Sequence, residues 1–391
     1  VRDSAGVQIV RNQGPSGAIW RLSDQPTLTI DVNGPAEEVP LDPVSVFRDA
    51  TGRILVGDGN QAGWDGILVY SALGEFVETI GREGQGPGEF GQLWWAGSYG
   101  GDSIAAWDMA DDNVAIFGPQ GRFARDFALP RLSEAIPEGT YGWTPGALGP
   151  FSDGGFLTYA GGALELPEAP GPAWYKHRLL AVHPEGETWD TVGRYEFSQA
   201  SWDGSQQEEL LFASHVQEVP YGRDLIRANP ESYEYQVLNR KGQLQQIVRR
   251  SFDRAPVQDA DREAHIEWTV GMIRASPGGS DESAERARTM FEKMPSARYM
   301  PAFSKVLADD LANVWVERFR WFDPWSLGPN PKESVWDVFS SEGQWITEVV
   351  VPSRFLPQSV TRDEILGFRV DEFDVKHVEV YGIVRDELAG G

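Results

Sequence analysis

Apolar and polar positions alternate with a period of two along most of the chain, the spacing of strands with one face buried. In five places the alternation takes one form: a short β-rich run, two or three turn residues ending in glycine, and a second β-rich run. These are Ile67–Val77 around Gly74, Val114–Ala124 around Gly121, Leu179–Trp189 around Gly186, Tyr235–Gln245 around Gly242 and Val335–Trp345 around Gly343. Each predicts a hairpin whose glycine supplies the positive φ of a tight turn. Ahead of each lies another strand pair with its own turn, at Gly52, Gly100-Gly101, Asp153-Gly154, Tyr221-Gly222 and Asp309-Asp310.

Two hairpins make a four-stranded antiparallel sheet. Such sheets in series, at a spacing of roughly 45 to 60 residues, are the blades of a β-propeller. A sixth blade can be assembled from both ends, with Ile365–Val370 and Val375–Val384 joined by Val7–Arg11 and Thr27–Val32. Pairing the termini closes the ring and removes the sheet edges that invite aggregation. The expected fold is therefore all-β: one six-bladed propeller domain over 1–391. Its blades are expected at about 43–81, 91–128, 146–193, 212–252, 301–351, and 355–387 plus 6–32. Between blades four and five the period changes. Ile266, Val270 and Ile273 recur at helical spacing, as do Ala284, Ala287, Phe291 and Met294, with a break at Ser276–Ser280. A helical insertion is expected at about 253–300.

The 59 acidic and 34 basic residues leave a formal charge of -25, which repels phosphate backbones and anionic lipid headgroups. No nucleic acid partner is expected. A divalent cation or a basic partner remains compatible with that charge. With no cysteine, disulfides, zinc-thiolate sites, iron-sulfur clusters and thiol catalysis are excluded. No apolar run approaches the roughly 20 residues of a membrane-spanning helix, so no transmembrane segment is expected. The chain opens on Val1, which fits a processed secretory precursor and an extracytoplasmic setting: periplasmic, cell-surface or secreted.

The stretch Gly81-Arg-Glu-Gly-Gln-Gly-Pro-Gly-Glu-Phe90, between a hairpin and the next strand, resembles the inter-blade linker of NHL-type propellers. Val56-Gly-Asp58-Gly-Asn60 and Ile67–Phe76 match that repeat too. The wider pattern resembles the bacterial exported six-bladed β-propeller proteins. It includes Asp3–Val10, Met300-Pro-Ala-Phe303, Val314-Trp-Val-Glu317 and Trp336-Asp-Val-Phe339. The resemblance implies fold and export and carries no assigned chemistry.

In a propeller, connections from second to third strand and from blade to blade open on one rim, and the tight turns occupy the other. The first rim is expected to carry long loops at 128–145, 160–176, 193–213, 253–300 and 318–333, and long loops on a rigid scaffold commonly hold binding residues. Their aromatics are the candidate binding set: Trp143, Trp174, Tyr175, Trp202, Trp268, Trp321 and Trp325, with Phe322, Trp64, Trp94 and Trp95 close by in sequence. Aromatic faces bind sugars, cations and protein side chains, while the plainer alternative is that these rings pack the loops onto the blades.

For a metal, Asp58 and Asn60, and Asp108 with Asp112, cluster oxygen ligands, yet neither group completes a calcium loop because the later bidentate Glu is missing. No cofactor is expected, with calcium as the one alternative to consider. There is no G-x-S-x-G and no H-E-x-x-H, and the histidines at 177, 183, 215, 265 and 377 are scattered. The glycines of 81–88 lack the helix N-terminus that a phosphate loop requires. The expected function is thus an exported binding or interaction module acting through its long-loop rim. It would take a protein partner or a second copy of itself, with glycans as a further ligand class. The competing expectation is a carbohydrate-active or lactone-hydrolysing enzyme with carboxylates, and calcium, at the channel mouth. For that chemistry Glu38, Asn60, Asn229 and Asp309 are the nearest candidates.

Overall fold

All five hairpin glycines, at 74, 121, 186, 242 and 343, have φ between 70° and 82°, the left-handed region their turns demand. The structure, a computed structural model, describes the chain apart from residues 1, 32–34, 36–37, 60–65, 131–145, 165–168, 206, 277, 321–332 and 387–391. Its strands form six separate sheets arranged as a six-bladed β-propeller.

Blade one contains Pro43–Arg48, Ile54–Asp58, Gly66–Tyr70 and Phe76–Ile80, and blade two Leu93–Tyr99, Ser103–Asp108, Asn113–Phe117 and Phe123–Ala128. Blade three contains Gly146–Pro150, Phe156–Leu164, Gly171–Val182 and Trp189–Trp202, with Gln207–Glu208 at its edge. Blade four contains Gln217–Tyr221, Asp224–Asn229, Glu234–Leu238 and Leu244–Arg250. Blade five contains Phe303–Ala308, Val314–Arg318, Ser334–Phe339 and Trp345–Val351, and blade six opens with Phe355–Val360, Glu364–Val370 and Lys376–Asp386. The sixth sheet is completed from the N-terminal side, where Leu28–Ile30 and Ile19–Leu22 both pair with Lys376–Asp386.

Strand alternation sends successive residues toward opposite neighbours, so the core lies between blades. Val46, Val56 and Leu68 of blade one pack on Leu366, Val378 and Val380 of blade six. Trp315 and Trp336 of blade five, at 0% and 1% exposure, pack toward Phe355 and Tyr381 of blade six. Fully burying a large apolar side chain contributes roughly 1.5–3 kcal/mol, and such layers repeat around the ring.

The structure differs from expectation in two places. Val7–Asn12 does not join blade six. It runs parallel to Leu244–Arg250 on the outer edge of blade four, with Ile9 beside Ile247, and Arg2–Ser4 folds back on it. The chain then crosses blade five: the Asn12 amide donates to Gly343 O at 3.0 Å and its Oδ1 accepts from Trp345 N at 3.0 Å, while Ser16 N donates to Trp345 O at 2.8 Å. Residues 7–30 therefore form a belt over blades four, five and six. An alternating strand satisfies any open edge equally well, and the outer strand of blade four offered one. Second, the expected loops at 160–176 and 193–213 are in large part strands that prolong blade three. Register skips after Ala160, Tyr175 and Leu179 let these long strands bend.

The helical insertion is present as Asp259–Ala275 and Asp281–Lys293, the second capped by Ser280, whose Oγ accepts from Ser283 N at 3.1 Å. Ile266, Val270 and Ala284 join the two helices. Leu211, Phe212 and Ala297, with Met300 and Phe319 packed against them, seat the insertion on the ring. Among the described residues no helix is long and apolar enough to cross a membrane.

Candidate functional site

Five of the six innermost strands carry one residue more than the strand they pair with. Val44, Trp94, Leu148, Ser304 and Gln358 each stand where the register skips, and Gln217–Tyr221 of blade four pairs without a skip. A bulge re-aims the extra side chain out of the pleat. Four of these five residues, Trp94, Leu148, Ser304 and Gln358, line a single cavity of about 630 Å³. Blades two to six all contribute innermost-strand residues to it, so it is the central channel. Ala213, His215 and Pro301 from the blade-to-blade connections, with Phe319 from the connection after Val314–Arg318, place it at the elaborated rim. That volume lies within the roughly 300–1,000 Å³ range of small-ligand sites.

Among the described residues three charged side chains meet in this cavity. Lys305 stands directly opposite Glu317 in the blade-five ladder, and its Nζ donates to the Pro357 carbonyl of blade six at 2.6 Å. Glu317 is only 1% exposed and lies 2.8 Å from Arg320 Nη2. Arg320 is positioned through its backbone N–H, which donates to Ser304 Oγ at 2.9 Å. The Lys305 stem is half-buried along the cavity while its ammonium is shut off from bulk water. That burial pushes the ammonium down from 10.5 to about 8, with Glu317 opposing the shift and Arg320 adding to it. Burial also lifts the Glu317 carboxyl above the usual carboxylate range, against the pull of Arg320 and Lys305. On the far wall burial lowers the His215 imidazole below its ordinary value; its Nδ1 is 3.1 Å from Ser198 Oγ.

A smaller cavity of about 280 Å³ adjoins the first, sharing Leu148 and Gln217 with it. Here the His177 ring is sandwiched between Tyr159 at 5.3 Å and Phe197 at 4.6 Å. Its Nε2 lies 2.7 Å from Glu218, which also faces Arg227 at 3.4 Å. This is a polar contact between blades three and four wrapped in aromatic rings.

None of Trp174, Tyr175, Trp202 and Trp268 lines the main cavity. Trp174, Tyr175 and Trp202 all lie on the extended ribbon of blade three, and Trp268 lies on the first helix, 6.1 Å from His265. Trp143, Trp321 and Trp325 fall outside the described residues, as do Trp64 and Phe322. Trp94 does reach the cavity, and so do Phe303 and Phe319.

Asp58 and Asp108 close the second strands of their blades and hold the incoming connection. Asp58 accepts from the backbone N–H of Leu41 and Asp42 at 2.9 and 2.7 Å. Asp108 accepts from those of Gly91, Gln92 and Ala110 at 2.6, 3.0 and 2.9 Å. These carboxylates clamp the linker that precedes each blade. Asp112 is a buried turn residue with φ of 52°, and Asn60 falls outside the described residues. Among the described residues no group of three or more acidic or histidine side chains is placed to hold a metal ion.

The residues considered for hydrolysis do not converge either. Asp309 sits in a tight turn on the opposite rim, accepting from Asn313 N at 2.7 Å and Trp315 Nε1 at 3.0 Å. The Asn229 side chain accepts from Glu231 N at 2.9 Å, and Glu38 is exposed. Among the described lining residues of the main cavity Glu317 is the one carboxylate, whereas glycoside hydrolysis needs two flanking the bond. The glycine-rich 81–90 stretch is closed on itself, with Gly84 N donating to Phe90 O at 3.0 Å and Gly86 N to Glu89 Oε2 at 2.9 Å.

Residues 36–95, covering blade one, that linker and the start of blade two, match the model of the DUF5128 family, a 6-bladed beta-propeller. Among solved structures the chain is similar to a Bacteroides fragilis protein described as exported, at 13% identity and a TM-score of 0.50, over 97% of this chain and 100% of that one. It is also similar to a member of the DUF4221 family from Bacteroides vulgatus, at 9% identity and a TM-score of 0.52, over 94% and 99% of the two chains. At these identities the likeness is one of fold. No curated protein matches the chain.

Proposed function

We propose that the protein is a binding propeller of the extracytoplasmic space that takes its ligand at the channel mouth on the elaborated rim. The observation that carries this is the convergence of four bulged inner-strand residues, Trp94, Leu148, Ser304 and Gln358, on one cavity of about 630 Å³. Repeated bulges at equivalent positions shape a concave wall without touching the interblade core, which is what a binding scaffold requires. Likeness in fold to a protein described as exported supports the location.

Ala213 lines the cavity on a connection rather than in a blade, so Ala213→Trp fills the site without entering the core. Thermal shift against a panel of amino acids, oligosaccharides and aromatic acids tests the reading. At least one class is expected to raise the wild-type Tm and to lose that effect in Ala213→Trp. A shift that survives the filling places binding elsewhere, and no shift with any class rejects the reading.

A further inference from the structure

We propose that Lys305 is a reactive amine at the channel mouth, condensing reversibly with an aldehyde or ketone whose apolar or aromatic body lies against Trp94, Phe303 and Phe319. The inference rests on the binding reading above and adds a covalent step at the same cavity.

The first support is where the nitrogen sits. Lys305 lines the cavity, and so does Pro357, whose carbonyl oxygen receives the Lys305 Nζ at 2.6 Å. The amine is therefore held at the cavity wall and joins the innermost strands of blades five and six. That join does not itself require a lysine. Elsewhere in the ring the corresponding joins use serine: Ser359 Oγ of blade six donates to Val46 O of blade one at 2.9 Å, and Ala96 N of blade two donates to Ser45 Oγ of blade one at 3.1 Å. A hydroxyl makes such a tie without burying a charge, so position 305 carries the costlier group.

The second is the kind of cation. The chain has six lysines among its 34 basic residues. Arginine stays protonated, whereas a lysine desolvated in an apolar pocket becomes a nucleophile. The burial that brings Lys305 to about 8 leaves about a tenth of it as free amine at pH 7, against well under one in a thousand for a lysine at 10.5.

The third is that the site suits the product. The nitrogen lone pair forms the bond to the carbonyl carbon, and the carbonyl oxygen leaves as water with two of the three ammonium hydrogens. The resulting iminium keeps one N–H, enough for the bond to Pro357 O, and the single positive charge that Glu317 already faces across the ladder. No oxidant or reductant is needed. Trp94, Leu148, Phe303, Phe319 and Leu356 make the wall largely apolar, which limits the water that would hydrolyse the adduct.

The test uses 3-phenylpropanal with cyanoborohydride, which reduces an iminium to a stable amine, and peptide mapping by mass spectrometry at pH 7. Lys305 is expected to be labelled at least about tenfold faster than each of the other five lysines. In parallel, 3-phenylpropanol, which has the same body and cannot condense, reports reversible binding by thermal shift. Ala213→Trp should abolish both the selective label and the alcohol's shift. Lys305→Met should lose the label and keep the shift, which separates a nucleophile from a residue that merely shapes the wall. Binding of the alcohol that is lost in Ala213→Trp, with Lys305 labelled no faster than the other lysines, would overturn the inference and leave the binding reading standing. Selective labelling of Lys305 that persists unchanged in Ala213→Trp places the reaction outside the cavity and overturns the inference as well. Neither a shift nor a selective label in wild type overturns both.

Discussion

Glu317 and Arg318 are neighbours on one strand of blade five and belong to two different buried charge clusters. Alternation sends Arg318 toward blade four and Glu317 toward the channel. On the blade-four side Asp337, fully buried, receives Arg318 Nη2 at 2.8 Å, Arg250 Nη1 at 2.7 Å and the Tyr233 hydroxyl. The Arg250 guanidinium also lies 4.8 Å from the Tyr233 ring and 4.3 Å from that of Trp345. Arg318 also pairs with Glu348, so two carboxylates stand against two guanidiniums on this side. On the channel side the same strand presents Glu317 to Lys305 and Arg320 at the wall of a cavity. Two ion clusters on one strand are thus placed differently, one fastening blade four to blade five and the other standing at the wall of the channel cavity.

Breaking the interblade cluster should have the largest effect. Asp337→Ala leaves two guanidiniums and a phenol without their shared acceptor, and a loss of about 3–5 kcal/mol is expected in urea melts. A loss below about 1 kcal/mol would erase the distinction between the two clusters.

The channel-side cluster should respond with the opposite sign. Lys305→Met is expected to stabilise the fold at pH 7 by about 1–3 kcal/mol, because the folded ammonium is depressed to about 8 from 10.5. The unfolded chain holds that proton more tightly, so the cost is fully present below about 8 and vanishes as pH rises to 10.5. Wild type and variant should therefore converge in melts run at pH 10.

The linker clamps come next. Asp108→Ala removes the acceptor of three backbone N–H groups and should cost about 1.5–3 kcal/mol, read by calorimetry as a lowered Tm. The smallest effect is expected on the blade-three ribbon. Trp174→Ala, at a half-buried position, should cost under about 1 kcal/mol and leave ligand binding unchanged. Loss of binding there would move the site from the channel to the ribbon.

Much of the ring was legible in the sequence because a propeller repeats its turns. The glycines at 74, 121, 186, 242 and 343 recur where the third and fourth strands meet, and no other residue takes that φ without strain. The position of Val7–Asn12 was not legible, since an alternating strand records which face is buried and nothing about which edge it joins. The blade-three ribbon was read as loops because Gly161, Gly171 and Gly193 look like punctuation where the strands in fact bend and pair.

The cavity was hard to read for a related reason. Lys305 in Phe303-Ser-Lys-Val-Leu looks like an ordinary solvent-facing position. One signal was present. Glu317 ends the otherwise apolar run Val314-Trp-Val, and a buried acid there needs donors, which are backbone N–H groups at Asp58 and Asp108 and cations at Glu317. Lys305 is one of those cations.

The belt over blades four to six also constrains when the ring can close. Ile19–Leu22 and Leu28–Ile30 both pair with Lys376–Asp386, so these N-terminal strands wait for nearly the entire chain before they find their partner. At synthesis rates of 5–20 residues per second that delay is roughly 15 to 70 s. Through that interval the growing arc presents unpaired strand edges at both ends, where a second arc can pair as readily as its own terminus. Shielding of the emerging chain during that interval, more than the stability of the finished ring, should limit how much of the protein reaches its native form.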